Sequence, residues 1–357
     1  MTSSSTSYEK SHHKSLMQRW IKRIFVTGFW GFLALVWIVI GVFYYQGSRP
    51  ASEDSQTRVF EIRPGMTLKQ VAVALSSQGL IRSPSAFQAI AYIQSKQKQM
   101  MVGEFRLSPS MLPTEIILLI TSGKTVLYPI TIPEGYRITE IAALLHAEGL
   151  ADPETFIRET RNENLIRSLG IPTDSLEGYL FPETYHFSKF TPETKIVQTM
   201  LDTFKEQVSK SQLLESAKQS SLSLHEIITL ASLIEKETGL ESERKMISSV
   251  FHNRLRKNMR LQTDPTVIYA IEKFDGNIRK RDLKIDSPYN TYRYKGLPPG
   301  PIASPGIKSI VAALSPVESD HLYFVSRQDG SHHFSSTLAE HNRAVQKYQL
   351  RKVNSHR

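Results

Sequence analysis

The chain contains no cysteine, which excludes disulfides, thiolate metal sites and a cysteine nucleophile. It also lacks the GxxxxGK(S/T) phosphate loop, the GxSxG nucleophile elbow and the HExxH zinc helix. His225-Glu226 has no second histidine four residues on, and reads as a helix-surface pair. His332, His333 and His341 share no ligand spacing with a carboxylate. No metal and no other cofactor is expected. Acidic residues are the minority, 34 against 44 Lys and Arg, for a net charge of +10. In a cytoplasmic protein that balance would suggest nucleic acid; on an outward-facing protein it suits anionic lipid headgroups or anionic wall polymer, and part of it is ordinary solvated surface.

Charge is wholly absent from Ile24 to Tyr45, IFVTGFWGFLALVWIVIGVFYY, and so is proline. At about 1.5 Å per residue such a helix spans the roughly 30 Å hydrocarbon layer. Phe25, Trp30, Tyr44 and Tyr45 lie near its ends, where aromatic rings settle at the membrane boundary. Lys10, Lys14, Arg19, Lys22 and Arg23 precede it, so residues 1–23 are expected to stay in the cytoplasm and the remainder to lie outside. A cleaved signal peptide is the rival reading, but Phe-Tyr-Tyr-Gln stands where a small-x-small cleavage site would be.

Residues 46–58, rich in Ser, Gly and Pro, read as a polar linker. Two related segments follow, EIRPGMTLKQVAVALSSQGLIRSPSAF from Glu61 and ITIPEGYRITEIAALLHAEGLADPETF from Ile130. Aligned on Gly65 and Gly135, Leu68 pairs with Ile138, Val71 with Ile141, Leu75 with Leu145, Gly79 with Gly149 and Leu80 with Leu150. Phe87 and Phe156 correspond after a one-residue slip. Each copy reads as a strand, a Pro/Gly turn, a helix with apolar residues at three- and four-residue steps, a glycine stop and a second helix opened by Pro84 or Pro153. A duplicated scaffold and a polymer-gripping module are both open. From about Lys195 the chain turns mainly helical, and beyond Met259 it becomes loop-rich. The expected class is α+β.

The helix EIITLASLIEKETG is apolar at Ile227, Leu230, Ala231, Leu233 and Ile234, and carries Glu235 and Glu237 at its end, with Gly239 as the expected stop. A carboxyl in a last turn faces the negative pole of the helix dipole, and burial would act in the same direction. Both raise its pKa, as a proton donor at neutral pH requires. Glu237 extends the apolar phase of the helix and Glu235 flanks it, a modest preference; taken alone, such an end is more often solvated.

ASLIEKET, VFHNRL, LQTDPTVIYA, SPYNTY, GLPPGPIASPG and HFSSTLAEHN, with IPEG and LEGYLFPETY upstream, resemble the YceG-like family of endolytic murein transglycosylases in order and spacing. The resemblance runs from about Arg58 to Tyr348. It implies a lytic transglycosylase that cleaves the MurNAc-β-1,4-GlcNAc bond of nascent peptidoglycan strands, leaves 1,6-anhydroMurNAc ends and terminates strand elongation. It implies a single-pass inner-membrane protein with a periplasmic catalytic domain, and peptidoglycan synthases as partners. It also implies LysM-like glycan-binding repeats over residues 59–187, a catalytic domain over 188–348 and a tail over 349–357. The family's catalytic glutamate precedes a small hydroxyl residue, which carries the role to Glu237 before Thr238, with Glu235 as second choice. Gln262, Thr263, Asp264, Tyr289, Asn290 and Tyr292 are the expected substrate-binding residues, each equally suited to stapling a loop. Glu177 and Glu183 are expected to brace the junction between the two halves. His332-His333 is a doubled histidine where the family pattern has one, which leaves open which of them matters. The alternatives are a non-catalytic, membrane-anchored scaffold that grips peptidoglycan, and a muramidase using Asp264 as a second carboxylate.

Overall fold

The computed structural model describes residues 6–350 apart from 171–172, 211–212, 214–216 and 218–219. Residues 1–5 of the expected cytoplasmic tail and 351–357 of the expected C-terminal tail lie outside the described residues. The chain forms two compact units, Met1–Val126 and Leu127–Arg357. The architecture is α+β, with three two-stranded antiparallel sheets among the described residues.

The first unit opens with α1 (Thr6–Gly47). Its stretch Lys22–Gly47 is long and apolar enough to cross a membrane and is compatible with a single anchor. The first copy follows as β1 (Arg58–Ile62), α2 (Leu68–Ser77), α3 (Pro84–Ile93) and β2 (Gly103–Leu107), closed by α4 (Pro113–Thr121). β1 and β2 pair antiparallel with Phe60 opposite Phe105. Those two rings join Val71, Leu75, Leu80, Phe87, Ile116 and Ile120 in one buried core. The residues expected to be a linker are bound to this unit. Ser52 N–H donates to the Pro109 carbonyl, Ser110 N–H to the Asp54 carbonyl, and the Arg82 guanidinium to the Pro50 carbonyl at 2.7 Å.

The second copy repeats the order as β3 (Tyr128–Thr131), α5 (Ile138–Ala147), α6 (Pro153–Glu159), α7 (Glu163–Arg167) and β4 (Thr184–Phe187). The correspondence read from the sequence extends to the backbone. Gly65 and Gly135 turn at φ 81° and 77°, and Gly79 and Gly149 at 69° and 67°, left-handed conformations that favour glycine. Behind each helix-ending glycine the next leucine N–H reaches back to the last turn, Leu80 to Leu75 and Leu150 to Leu145, both at 2.9 Å. Phe87 and Phe156 are both buried, at 1% and 0% exposure.

The copies differ in what they pack against. The second shares one core with α8 (Glu193–Lys210), α9 (Leu224–Glu237) and α10 (Glu241–Arg256), so Ile141, Leu145, Phe156, Tyr185 and Phe187 belong to the same cluster as Ile196, Phe204, Ile227 and Phe251. The remaining elements of this unit are α11 (Asp264–Ala270), α12 (Ile307–Leu314), the hairpin β5 (Tyr323–Ser326) and β6 (His332–Ser335), and α13 (Leu338–Val345). Helix α9 runs through the middle, with every residue from Ile227 to Ile234 buried. It is therefore apolar all round rather than amphipathic, as a helix enclosed by others must be. Phe156→Ala is expected to lower the stability of the second unit by about 3–5 kcal/mol, and Phe156→Leu by less than half of that, read as shifts in denaturant midpoint.

Candidate active site

Helix α9 is capped at its start by Ser223, whose hydroxyl accepts the Glu226 N–H while the Glu226 carboxylate accepts the Ser223 N–H at 2.8 Å. It ends at Glu237, where Thr238 turns extended (φ −145°, ψ 138°). Gly239, the expected stop, is not left-handed; the Thr238 hydroxyl accepts the Leu240 N–H at 3.0 Å and turns the chain into α10 instead. Burial of α9 on every side from Ile227 to Ile234 also weakens the helix-phase distinction between its two terminal glutamates, which are both partly buried. Their partners make the distinction.

Glu235 is tied down. One carboxylate oxygen pairs with the Arg244 guanidinium at 3.2 Å and the other accepts the Gly306 N–H at 3.0 Å. Glu134 lies at 3.7 Å from the same guanidinium, and its own carboxyl is pushed above the ordinary range by burial and by Glu235 nearby. Lys236 Nζ donates to the Gly135 carbonyl, and Gly135 and Tyr136 exchange backbone bonds with Ser304 at 2.8 Å. The IPEGY turn of the second copy and the IASPG loop thus clamp the end of α9.

Glu237, one step beyond the clamp, lines a polar cavity of about 440 Å³ together with Arg254, Gln262, Asp264, Tyr292, Tyr323 and His332. The Thr263 hydroxyl donates to its carboxyl. Desolvation is the largest influence on Glu237 and, with the nearby Asp264 charge, raises its pKa to about 7, against the opposing effects of Thr263, His332 and Arg254. Its place at the C-terminal pole of α9 acts in the same direction as burial.

The expected substrate residues separate into three groups. Gln262, Asp264 and Tyr292 line the cavity, with Tyr292 Oη donating to Asp264 at 2.6 Å. Gln262 holds a left-handed backbone (φ 50°), an uncommon conformation for a side-chain-bearing residue and one that recurs at functional sites. Thr263 lies behind the wall, buried, and its N–H donates to the Thr291 hydroxyl at 3.1 Å. Asn290 and Tyr289 are not in this cavity. Asn290 is fully buried and staples its loop, donating to the Leu283 and Ile285 carbonyls and accepting the Tyr292 N–H. Tyr289 faces a second cavity of about 480 Å³ with Tyr269, Asp174 and Glu177.

Glu177 does brace two parts of the second unit. It accepts the Ile138 N–H at the start of α5 and the Tyr269 hydroxyl of α11, and burial raises its pKa to about 7. The Glu183 carboxylate accepts the neighbouring Thr184 N–H, and its backbone carbonyl accepts the Ile132 N–H at 3.0 Å. His225 is not a surface residue of a helix pair. Its Nε2 meets the Pro299 carbonyl at 2.7 Å, so Nε2 carries the hydrogen and Nδ1 accepts from Tyr179 Oη, also at 2.7 Å.

The doubled histidine is resolved by strand geometry, since neighbours on β6 point to opposite sides. His332 enters the cavity, with Nδ1 at 2.7 Å from the Glu243 carboxylate and its backbone N–H on the other oxygen. A carboxylate only accepts, so Nδ1 carries the hydrogen and Nε2 remains free. His333 packs beside Tyr348, away from the cavity. Arg254 was not among the expected site residues although VFHNRL contains it. Its guanidinium is held by the Leu322 and Leu261 carbonyls at 2.6 Å and lies 5.3 Å from the Tyr323 ring. The polar side chains of Arg254, Gln262, Asp264, Tyr292 and His332 around the raised Glu237 carboxyl suit acid catalysis on a polar substrate.

The model of the YceG-like family matches residues 60–347. A protein of Bacillus subtilis (strain 168) named endolytic murein transglycosylase is 39% identical over 332 residues, which cover 87% of this chain and 91% of that protein. One of the same name from Streptococcus pneumoniae (strain ATCC BAA-255 / R6) is 31% identical over 369 residues, 93% of this chain and 66% of the longer pneumococcal protein. A crystal structure of a yceG-like protein from Listeria monocytogenes superposes with a TM-score of 0.56 at 34% identity, covering 80% of this chain and 98% of that one.

The pKa of Glu237 makes stability depend on pH. Between about 4.5 and 7 the folded protein holds a proton that the unfolded chain has released, so this group's contribution falls as pH rises through that window. Glu237→Gln removes the loss while keeping an acceptor for Thr263. It is expected to be more stable than the parent at about pH 8, by up to about 3 kcal/mol, with no difference below about pH 4.5. Melting temperatures of both proteins across this range check it; a gap independent of pH would contradict it.

Proposed function

The chain belongs to the YceG-like family, and on that premise we propose that it is a peptidoglycan lytic transglycosylase with Glu237 as its acid and base. The observation that carries the reading is the Glu237 carboxyl, held by the Thr263 hydroxyl with no cation bonded to it among the described residues, with its pKa raised to about 7 in a polar cavity. The other carboxylates around it are engaged: Glu235 by Arg244, Glu243 by His332 and Asp264 by Tyr292. A hydrolase needs a second carboxylate as nucleophile or water-activating base. A transglycosylase needs one, because the substrate's own hydroxyl attacks.

In this reading the Glu237 carboxyl gives its proton to the glycosidic oxygen between MurNAc and GlcNAc as the C1–O bond breaks. The resulting carboxylate takes the proton of the MurNAc 6-hydroxyl as that oxygen bonds to C1. The leaving strand departs with a free 4-hydroxyl, the other keeps a 1,6-anhydro end, and Glu237 is protonated again. No water is consumed. The substrate's acetamido group relieves the charge developing at C1. Gln262 and Arg254 supply donors around the sugars, Tyr292 an acceptor oxygen, and the His332 ring one more polar contact.

The apolar stretch Lys22–Gly47 would place the N-terminus in the cytoplasm and the residues after the span outside. We read the two βααβ copies as LysM-like and the region from 188 to 348 as carrying the chemistry, with the second copy serving as one wall of it. Cutting nascent strands near the membrane would terminate their elongation and bring peptidoglycan synthases within reach as partners. The purified chain incubated with uncrosslinked glycan strands is expected to release ends one water lighter than hydrolysed ends. Glu237→Gln should lower the rate at least about 100-fold with strand binding retained. Hydrolysed ends would point to a muramidase, and no cleavage by the parent to a scaffold.

A further inference from the structure

Resting on the reading of α1 as a membrane span, we infer that α3 of the first copy forms a second membrane contact, its outer face lying on the lipid surface beside α1. The two copies provide an internal comparison. Their second helices start alike, each with proline at the first helical position behind a side-chain cap, Ser83 for α3 and Asp152 for α6. Each buries its phenylalanine, Phe87 or Phe156. Beyond that they diverge. Ala89, Ile90, Tyr92 and Ile93 of α3 stand, counted from the phenylalanines, where the second copy has Arg158 and Glu159 at the end of α6 and Arg161 and Asn162 in the turn that follows it.

The polar set is what water and polar neighbours require: Glu159 accepts from Asn162 and from Thr194 of α8. In the first copy the end of α1 covers part of the apolar set, at Ala89 and Ile90, and leaves the rest open. Ile93 is 83% exposed, Tyr92 61%, and Leu118 on the neighbouring α4 63%. A contiguous apolar surface of this kind marks an interaction face.

Geometry identifies the occupant. The end of α1 packs directly on α3, so closely that a Cβ at Gly47 would come within 2.7 Å of Ile90 Cδ1. Between the helices runs a cavity of about 420 Å³ walled by Val39, Phe43, Ala89, Ile90 and Ile93. From Val39 to Gly47 the helix rises about 12 Å, so α3 lies alongside the last two turns of the apolar stretch. A helix packed there is held at the bilayer boundary, and Ile93, three residues beyond Ile90 on the same face, continues the apolar surface of α1 outward. Arg49 follows α1 and Lys96 and Lys98 follow α3, where cations meet lipid phosphates. The residues between α1 and β1 are hydrogen-bonded to the first unit, so this unit follows its span as one piece. The outer face of α3 is then given to lipid rather than to glycan.

The absence of cysteine allows a clean test on the full-length protein. Single cysteines at Val36, Ile93 and Arg161 (the counterpart of Tyr92) would be labelled with bimane. The proteins would be reconstituted in vesicles of phosphatidylcholine and phosphatidylglycerol carrying brominated acyl chains. Quenching at Ile93 comparable with that at Val36, and none at Arg161, is the expected result. Quenching at Val36 alone overturns the second contact and leaves the span standing. A label at Ile93 shielded from both brominated lipid and aqueous iodide means a protein partner or a second copy covers the face, and overturns it as well. Equal quenching at Arg161 overturns it by showing general adsorption. No quenching at Val36 overturns the span, and this inference with it.

Discussion

A carboxyl that is to give up a proton near neutral pH has to be taken out of water, and in the proposed mechanism that requirement falls on Glu237, the last residue of a largely buried helix. Glu237 sits where α9 meets the cavity, with desolvation raising its pKa and Thr263, His332 and Arg254 limiting the rise. Much of the second unit serves to hold that helix end still. The turn of the second copy, the loop before α12 and the Glu134–Arg244–Glu235 group grip Glu235 and Lys236, two positions and one position short of the reacting group. A charge network at the surface would add little rigidity. Here both Arg244 and Glu235 are nearly enclosed, at 9% and 6% side-chain exposure, so loss of either partner would leave an uncompensated charge.

The same enclosure explains why one carboxyl is singled out among several. Each neighbour has a dedicated partner, and each partner also performs a structural task. Tyr292 holds Asp264 on the wall, and His332 links β6 to Glu243 of α10. Arg254 joins α10 to the loops on either side through backbone carbonyls. The second copy of the repeat is part of this arrangement, while the first carries an apolar face where its twin is polar. Duplication thus supplied one fold used in two settings.

The repeats were legible from the sequence because their markers are physical. Positive-φ glycines and buried residues at helical spacing leave a pattern that survives divergence, and Gly65, Gly79, Gly135 and Gly149 carry it here. The preference for Glu237 rests on the resemblance more than on helix phase, which distinguishes little in a helix buried on every side from Ile227 to Ile234. What stayed hidden depends on long-range partners. Asn290 in a turn reads the same whether it faces a sugar or staples its own loop. The bridging role of His225 needs Tyr179 and Pro299, 46 and 74 residues away. The common core of the second copy and the helices after it is equally invisible to any local pattern.

The central claim is that the Glu237 carboxyl still titrates near neutral pH in the folded protein, so that a large fraction of it keeps its proton there. Carbon-13 NMR of protein labelled at glutamate side-chain carboxyls, compared with Glu237→Gln to assign the signal, measures this directly. The account predicts a titration midpoint near 7 for the signal missing in the variant. A midpoint at the ordinary glutamate value of about 4.3 would contradict it.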